Sequence, residues 1–422
     1  MLKIPLFKRI TKYIGPGVIT GVADDDPSGI VTYAQTGAVF GLTQLWLTVL
    51  SLPFMIAIQE MCGRIGIVTG KGLAGVIKMH YPKYVLYGAV VILAFANIIN
   101  IGADLGAMAS AAELVLPVPF GILVAVLTIV TVLVEITVPY RTYVKFLKYL
   151  ALTVLAYIFA AFAVEQDWYA IIMSVLIPQV EWNQSLLLNI TAVLGTTISP
   201  YLFFWQASEE VEEEIINGNM RAMGKGVPKI TYRNIQEMRK DTILGMFLSN
   251  LVAFFIIITA SGTLGLQGIT ELTSAAQVAE SLRPFAGDGA FLLFTLGILG
   301  TGLLAVPVLA GSAAYALSEA FGWKAGLGRT FHEAPAFYLV IIVATLVGVL
   351  INFLPINPIT MLYYSAALNG VLAPPLMIII LLISNNKKIL GERVNGKLSN
   401  IFGWIITVIM SLLSVIFFMG LF

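Results

Sequence analysis

Apolar residues in this chain come in long blocks, separated by short polar stretches, instead of the narrow stripes that mark helices and strands of a soluble fold. A helix that crosses a hydrocarbon layer of roughly 30 Å needs about 20 apolar residues. Blocks of that length predict eleven membrane-spanning helices, over about 15–38, 43–62, 84–113, 120–138, 144–164, 187–207, 241–262, 289–318, 335–353, 358–383 and 401–421. The pattern therefore predicts an all-α polytopic membrane protein forming one transmembrane domain over 1–422. The first ten residues carry charge but no short apolar run ending at small residues, so no cleaved leader is expected.

Composition agrees with that reading and narrows the function. Hydrophobic residues are 59% and charged residues 11% of the chain, against roughly 45–50% and about 25% in ordinary soluble domains. A net charge of +1 excludes a nucleic-acid binder that works through excess positive charge. Cys62 is the single cysteine, and His80 and His332 are the two histidines, so neither a disulfide framework nor a Cys- or His-rich metal cluster is available. With a cytoplasmic N-terminus, every Lys and Arg of the 24 except Arg283 falls in a cytoplasmic segment. This is the positive-inside pattern, and a miscounted span would scramble it. The expectation is a plasma-membrane protein with its N-terminus in the cytoplasm and its C-terminus outside.

Two spans look interrupted. The first reads Gly15-Pro16-Gly17 and then Asp24-Asp25-Asp26-Pro27-Ser28-Gly29; the sixth reads Gly195-Thr196-Thr197-Ile198-Ser199-Pro200-Tyr201. Proline removes a backbone donor and disfavours helix in the residue before it. A break at membrane depth is tolerated where protein encloses it or where it lines a cavity. The breaks lie five spans apart, so the two helices run in opposite directions. That spacing fits a five-plus-five inverted repeat, with repeats over about 15–164 and 187–383 and an extra helix over about 401–421. The alternative is a pair of ordinary proline kinks, against which the acids at the first break argue.

An ionised carboxylate at mid-bilayer costs at least about 2.5–3.5 kcal/mol. Adjacent helical residues diverge by about 100°, so Asp24, Asp25 and Asp26 cannot share one face unless the helix unwinds. We expect Asp26 to be functional, with Asp24 or Asp25 mainly structural; capping of the second half-helix is the bland alternative for the acids. Bound metal favours ionised carboxylates, which links metal binding to proton release. In the third span Asn97, Asn100 and Asp104 recur at i, i+3 and i+7 and form one polar stripe facing the bundle interior. The stripe is either a proton or ion route or an interhelical hydrogen-bond seam. Gln206 is polar at span depth and can face the same pathway, and Asn369 can offer an amide oxygen in an occluded state. The acidic run Glu209, Glu210, Glu212, Glu213 and Glu214 can attract cations near the inner mouth, or be a solvated helix face.

These residues together resemble the Nramp family of proton-coupled divalent-metal transporters. The likeness rests on Gly15-Pro16-Gly17, Asp26-Pro27, Phe40-Gly41, the run Arg64-Ile-Gly66-Ile-Val-Thr69-Gly70, Asp104-Leu105 and Pro200. The resemblance implies a LeuT-like fold with metal held between unwound helices one and six. It makes Asp26 the metal-ligating aspartate, Ala23 and Thr196 lenders of backbone carbonyls, and Asp104 the acid of a proton pathway. Three positions depart from the family pattern. Gly29 stands where the family has asparagine, Ser199 where it has methionine, and Ala107 where a second third-helix acid is often found. A thioether favours transition metals, whereas hydroxyl, carbonyl and carboxylate oxygens suit hard ions.

The leading expectation is a secondary transporter, not an enzyme, that imports a hard divalent cation (Mg²⁺ or Mn²⁺) by alternating access. Asp26 ligates, Ala23 and Thr196 give carbonyls, and Ser199 or Asp25 assists; Gly29, Tyr201 and Asn369 are secondary contacts. Proton coupling through Asp104, Asn100, Asn97 and Gln206 is open. The alternative keeps the fold and carries a small organic solute (an amine, amino acid, carboxylate or metal–organic complex), for which Gly29 leaves room. An intramembrane aspartyl hydrolase lacks any surrounding protease motif, and no P-loop of the form G-x-x-x-x-G-K-[ST] is present. The metal is cargo and no resident cofactor is expected. Partners are the ion, protons and the lipid bilayer, with no nucleic acid and no obligate protein partner.

Overall fold

A computed structural model describes residues 15–138, 142, 152–180, 183–269 and 271–420. In chain order its main helices are α1 (Pro16–Asp24), α2 (Pro27–Phe40), α3 (Trp46–Thr69), α4 (Leu73–His80), α5 (Lys83–Glu113), α6 (Phe120–Thr137), α7 (Ala156–Ala163), α8 (Trp168–Leu176), α9 (Gln184–Thr197), α10 (Pro200–Ile216), α11 (Tyr232–Thr263), α12 (Ala275–Glu280), α13 (Ala290–Phe321), α14 (Pro335–Leu350), α15 (Pro358–Ser384) and α16 (Lys397–Gly420). No strand occurs among the described residues beyond an isolated bridge between Ala222 and Lys225.

Proline sets five of the helix starts: Pro16, Pro27, Pro200, Pro335 and Pro358 occupy the first turns of α1, α2, α10, α14 and α15. The missing N–H costs nothing there, because first-turn amides have no helical partner. Gly70 ends α3 in the left-handed region at φ 67° and donates its N–H to Gly66 O at 2.8 Å. That conformation explains the glycine closing the Arg64–Gly70 run.

Among the described residues, nine helical stretches are long and apolar enough to cross a membrane. They fall on the expected spans, at 46–69, 83–113, 120–137, 184–216, 232–267, 283–321, 335–353, 358–384 and 397–420. The expected first span is split into α1 and α2, nine and fourteen residues long. At 1.5 Å per residue neither piece crosses the layer alone, and together they reach about 35 Å. The first part of the expected fifth span, 144–151, lies outside the described residues, as do the N-terminal basic residues and Arg141, Lys145 and Lys148. Its described end, Leu152–Ala163, is followed by α8 after a bend of 114°. The apolar Trp168–Leu176 segment falls between expected spans; Asp167 starts it as a helix by accepting from the Ala170 N–H at 3.0 Å.

Two helix seams bracket the breaks, and both are made by glycine. Along α1 and α11, a Cβ at Gly17 would run into the Thr242 backbone and one at Gly21 into the Gly245 backbone. Along α9 and α15, a Cβ at Gly195 would meet Ala366 O and Gly370, and one at Gly370 would meet the Thr191 carbonyl. Small residues let helices approach backbone to backbone in a bundle where lipid is as apolar as the side chains.

Candidate functional site at the two helix breaks

The first break begins where α1 ends at Asp24. Asp25 leaves the helix at φ −82°, ψ 49°, and Asp26 is extended at φ −70°, ψ 172°. Asp26 caps α2: its Oδ1 accepts from the Ser28 hydroxyl and from the Gly29 N–H, each at 2.7 Å. Its other oxygen, Oδ2, meets the Tyr201 hydroxyl at a long 3.4 Å. Ordinary O–H···O bonds are near 2.7–2.8 Å, so one lone-pair face of a buried carboxylate is underused. Asp26 is therefore both the cap and the acid presented to the break.

Asp24 and Asp25 turn the other way. The Ser249 hydroxyl of α11 lies 2.7 Å from Asp24 Oδ2 and 3.2 Å from Asp25 Oδ1. Unwinding has separated the three acids, and Asp25 sits on Ser249 instead of beside Asp26.

The second break is uncharged. Ile198 is at φ −123°, ψ 65°, and Ser199 is extended at φ −83°, ψ 135° before Pro200 opens α10. The Ser199 hydroxyl reaches back to the carbonyls of Gly195 and Thr196, both at 2.8 Å. It thereby covers the Thr196 carbonyl expected to serve as a ligand. One turn on, the Tyr201 hydroxyl donates to Ala23 O at 3.1 Å. Tyr201 thus spans from α10 to both first-break groups expected to ligate, the Ala23 carbonyl and Asp26. From sequence it stands only among the secondary contacts. The signal that marks it is an aromatic hydroxyl directly after the breaking proline.

Gly29 marks where the two breaks meet. A Cβ there would lie 3.2 Å from both Asp24 O and Thr196 Oγ1 and 3.5 Å from Asp26 Oδ1. Above it, the Tyr33 hydroxyl and Thr197 Oγ1 are 3.0 Å apart and tie α2 to α9. The structure thus brings together Asp26, Ala23, Tyr201, Gly29 and Thr196, all buried.

The polar stripe of α5 divides. Asn97 donates to Leu309 O at 2.8 Å and to the Ser312 hydroxyl at 2.7 Å, which holds α5 to α13. Asn100 and Asp104 are fully buried, and neither amide atom of Asn100 has a hydrogen-bond partner among the described residues. Asp104 lies by the Ser28 amide and within electrostatic reach of Asp26. Asn369 of α15 is likewise buried with both amide atoms unpartnered. Gln206 donates to Glu210 Oε1 at 2.7 Å and leaves its own Oε1 unused. A buried polar atom without a partner costs about 1–3 kcal/mol.

Residues 17–420 match the natural resistance-associated macrophage protein-like (Nramp) family. The chain is 25% identical over 409 residues to the divalent metal cation transporter MntH of Yersinia enterocolitica, covering 94% of this chain and 92% of the relative. MntH of Yersinia pestis is 25% identical over 415 residues, covering 96% and 94%. A crystal structure of a point mutant of the Eremococcus coleocola manganese transporter superposes with a TM-score of 0.75 at 16% identity, over 99% of this chain and 88% of that one. Mhp1, a nucleobase-cation-symport-1 family transporter in a closed conformation, superposes at 0.59 and 13% identity, over 97% and 93%. The fold is thus the LeuT-like one, with its first and sixth spans interrupted where the prolines fall. With a family match over nearly its whole length, the chain belongs to the Nramp family, a family of multi-pass membrane transporters and not of enzymes.

Proposed function

We propose that the protein imports a hard divalent cation, Mg²⁺ or Mn²⁺, across the plasma membrane by alternating access. The observation that carries this reading is Asp26: one oxygen is fixed by two donors at 2.7 Å while the other is nearly free, beside the Ala23 carbonyl, in a buried break. That is a preorganised carboxylate with ligand capacity to spare. The polar groups at the two breaks offer oxygen: the Ala23 and Thr196 carbonyls and the Tyr201 and Thr196 hydroxyls. An all-oxygen set suits hard ions, and Mg²⁺ keeps several waters and asks for few protein ligands. The family and the transporter names of its relatives support a divalent cation as cargo.

In this reading the N-terminus is cytoplasmic and the C-terminus outside, with inverted repeats over about 15–164 and 187–383. Protons are exchanged through Asp104, which is buried by the Ser28 amide and within electrostatic reach of Asp26. Asn100 and Asn369 serve the hydrated ion as it is enclosed. Ala23 must give up the Tyr201 hydroxyl when it ligates, so ion entry and the α1–α10 contact are coupled. The test is flux in proteoliposomes loaded with an Mg²⁺ or Mn²⁺ indicator and a pH indicator. Saturable flux of either ion, lost in Asp26→Ala, is the expected result. Flux that persists in Asp26→Ala would exclude this site.

A further inference from the structure

The N-terminal end of α1 is held by a residue more than 200 positions away. Asp241, on α11, accepts from the Gly15 N–H at 2.9 Å through Oδ1, and from the Gly17 and Val18 N–H groups at 2.7 and 3.3 Å through Oδ2. First-turn amides have no partner within their own helix, and a carboxylate there is favoured by the helix dipole as well as by hydrogen bonding. α1 carries no side-chain cap of its own. Its start is therefore secured by α11.

At the other end of α1 the Ser249 hydroxyl of α11 lies 2.7 Å from Asp24 Oδ2, and between Asp241 and Ser249 the seam is backbone packing with no cross-helix side-chain hydrogen bond among the described residues. Gly17 and Gly21 lie against the Thr242 and Gly245 backbones, so smooth surfaces meet without interlocking side chains. The other end of α1 is the non-helical Asp25, a ready hinge. α11, by contrast, is anchored at the same level. Arg239 pairs with Glu60 of α3 at 2.8 Å. Glu60 also pairs with Arg64 at 3.0 Å, and Arg64 contacts Asn395 and the Arg393 carbonyl. Of the two helices, α11 carries ion pairs to the rest of the bundle at this level, while the described start of α1 is held through Asp241.

We infer that Asp241 is the latch of the inner gate, a positioning residue that keeps α1 against α11 and so holds the Ala23 carbonyl and Asp26 in the closed site. Release of the three amides lets α1 swing about Asp25 and opens the site to the cytoplasm. This inference rests on the alternating-access reading proposed above, and its test is kept independent of the cargo.

The parent for the test carries Cys62→Ser, with Val18→Cys as a buried reporter on α1 and, in a separate chain, Thr191→Cys as a buried reporter on the α9–α15 seam. Labelling by a membrane-impermeant maleimide is followed in proteoliposomes. Asp241→Asn replaces one acceptor oxygen with an NH₂ group that faces N–H donors. The expected result is about tenfold faster labelling at position 18, the scale of a lost helix cap, while position 191 stays protected. Asp241→Glu restores slow labelling, which a general loss of packing would not allow. Gly21→Ala forces the seam apart by a different route and should expose position 18 in the same way. Parental labelling of position 18 in Asp241→Asn overturns the latch. If both reporters label in Asp241→Asn, the fold is lost and Gly21→Ala decides: exposure of position 18 alone supports the gate, and protection of both refutes it. Opening at position 18 without flux of Mg²⁺ or Mn²⁺ in the parent would leave the latch standing and remove the transport reading.

Discussion

The two breaks solve the same backbone problem with opposite means. The first carries three carboxylates and hands its loose amides to one of them: Asp26 takes the Gly29 N–H and the Ser28 hydroxyl. The second carries no charge, and Ser199 spends its hydroxyl on the carbonyls at the end of α9. An anion at the start of a half-helix is stabilised by exposed N–H groups, while a hydroxyl at the end of one satisfies exposed carbonyls. One break thus supplies the charge that attracts a cation, and the other supplies closure around it. If that division is right, substitutions at the first break should change whether an ion binds, and substitutions at the second should change which ion binds and how tightly.

The largest effect belongs to Asp26. Asp26→Ala removes both the ligand and the α2 cap. The cap alone is worth about 1 kcal/mol, which the bundle should survive. If Asp26 is the carboxylate that ligates, as proposed, its loss should abolish saturable flux and weaken Mg²⁺ or Mn²⁺ binding by about a hundredfold or more, since hard divalent ions depend on carboxylate charge. Isothermal titration on protein that still elutes as a single species measures this directly. Binding retained within a few-fold would move the charge of the site elsewhere.

Ion preference should turn on Gly29 and Ser199. In Ser199→Met a thioether replaces a hydroxyl that faces backbone carbonyls, and soft donors favour transition metals. The one hydroxyl hydrogen that those carbonyls share is lost as well. The ratio of Mn²⁺ to Mg²⁺ flux should rise by about tenfold, measured by competition in the same vesicles. Gly29→Asn puts a side chain into the space between Asp24 O and Thr196 Oγ1, both 3.2 Å from its Cβ. It should slow Mg²⁺ flux several-fold by crowding out waters that the ion keeps. An unchanged ratio in Ser199→Met, with flux intact, would mean that the second break does not select.

Tyr201 joins the two breaks, and its effect should be smaller. Tyr201→Phe frees Ala23 O from a 3.1 Å hydrogen bond. A single hydrogen bond is worth a net of about 0.5–1.5 kcal/mol. Because the ion must displace that bond to gain the carbonyl, half-saturation should tighten by roughly three- to tenfold. Weaker binding in Tyr201→Phe would instead make the hydroxyl itself a ligand.

The broken helices were legible because proline, glycine and acid together at membrane depth are costly in an intact span, and an unwound segment relieves that cost. Helix bounds matched because apolar blocks and proline starts are one-dimensional signals. The family resemblance pointed to Asp26 and Ala23, which the structure places together at the first break. What could not be read was partnership across the bundle. Nothing in the order of residues says that Asp25 would find Ser249, that Ser199 would fold back onto its own helix, or that Asp241 would cap a helix starting at Pro16. Each depends on which helix faces which, and that is set by glycine seams such as Gly17–Thr242 and Gly195–Gly370. The Asn97–Asp104 stripe is an intermediate case. Its inward face was evident from spacing, but only packing shows that Asn97 binds α13 while Asp104 comes to lie by the Ser28 amide at the first break.

The smallest effect should come from the acid closest to the important one. Asp25 adjoins Asp26 in sequence, yet its carboxylate is turned to Ser249 of α11, which it shares with Asp24. A serine hydroxyl has one hydrogen, so it donates to one of these oxygens at a time. Asp25→Asn keeps the size of the side chain, brings its own N–H donor to that cluster and removes one charge that does not face Ala23 O. Cation affinity should therefore change by no more than about threefold, the remainder of a long-range charge effect after ligation is excluded. Thermal unfolding should hold or rise slightly, because two acids sharing one donor become an acid and an amide. Should Asp25→Asn weaken binding as much as Asp26→Ala, the cation would be held from both faces of the first break, and the division of labour between the two breaks would give way to a single acidic centre.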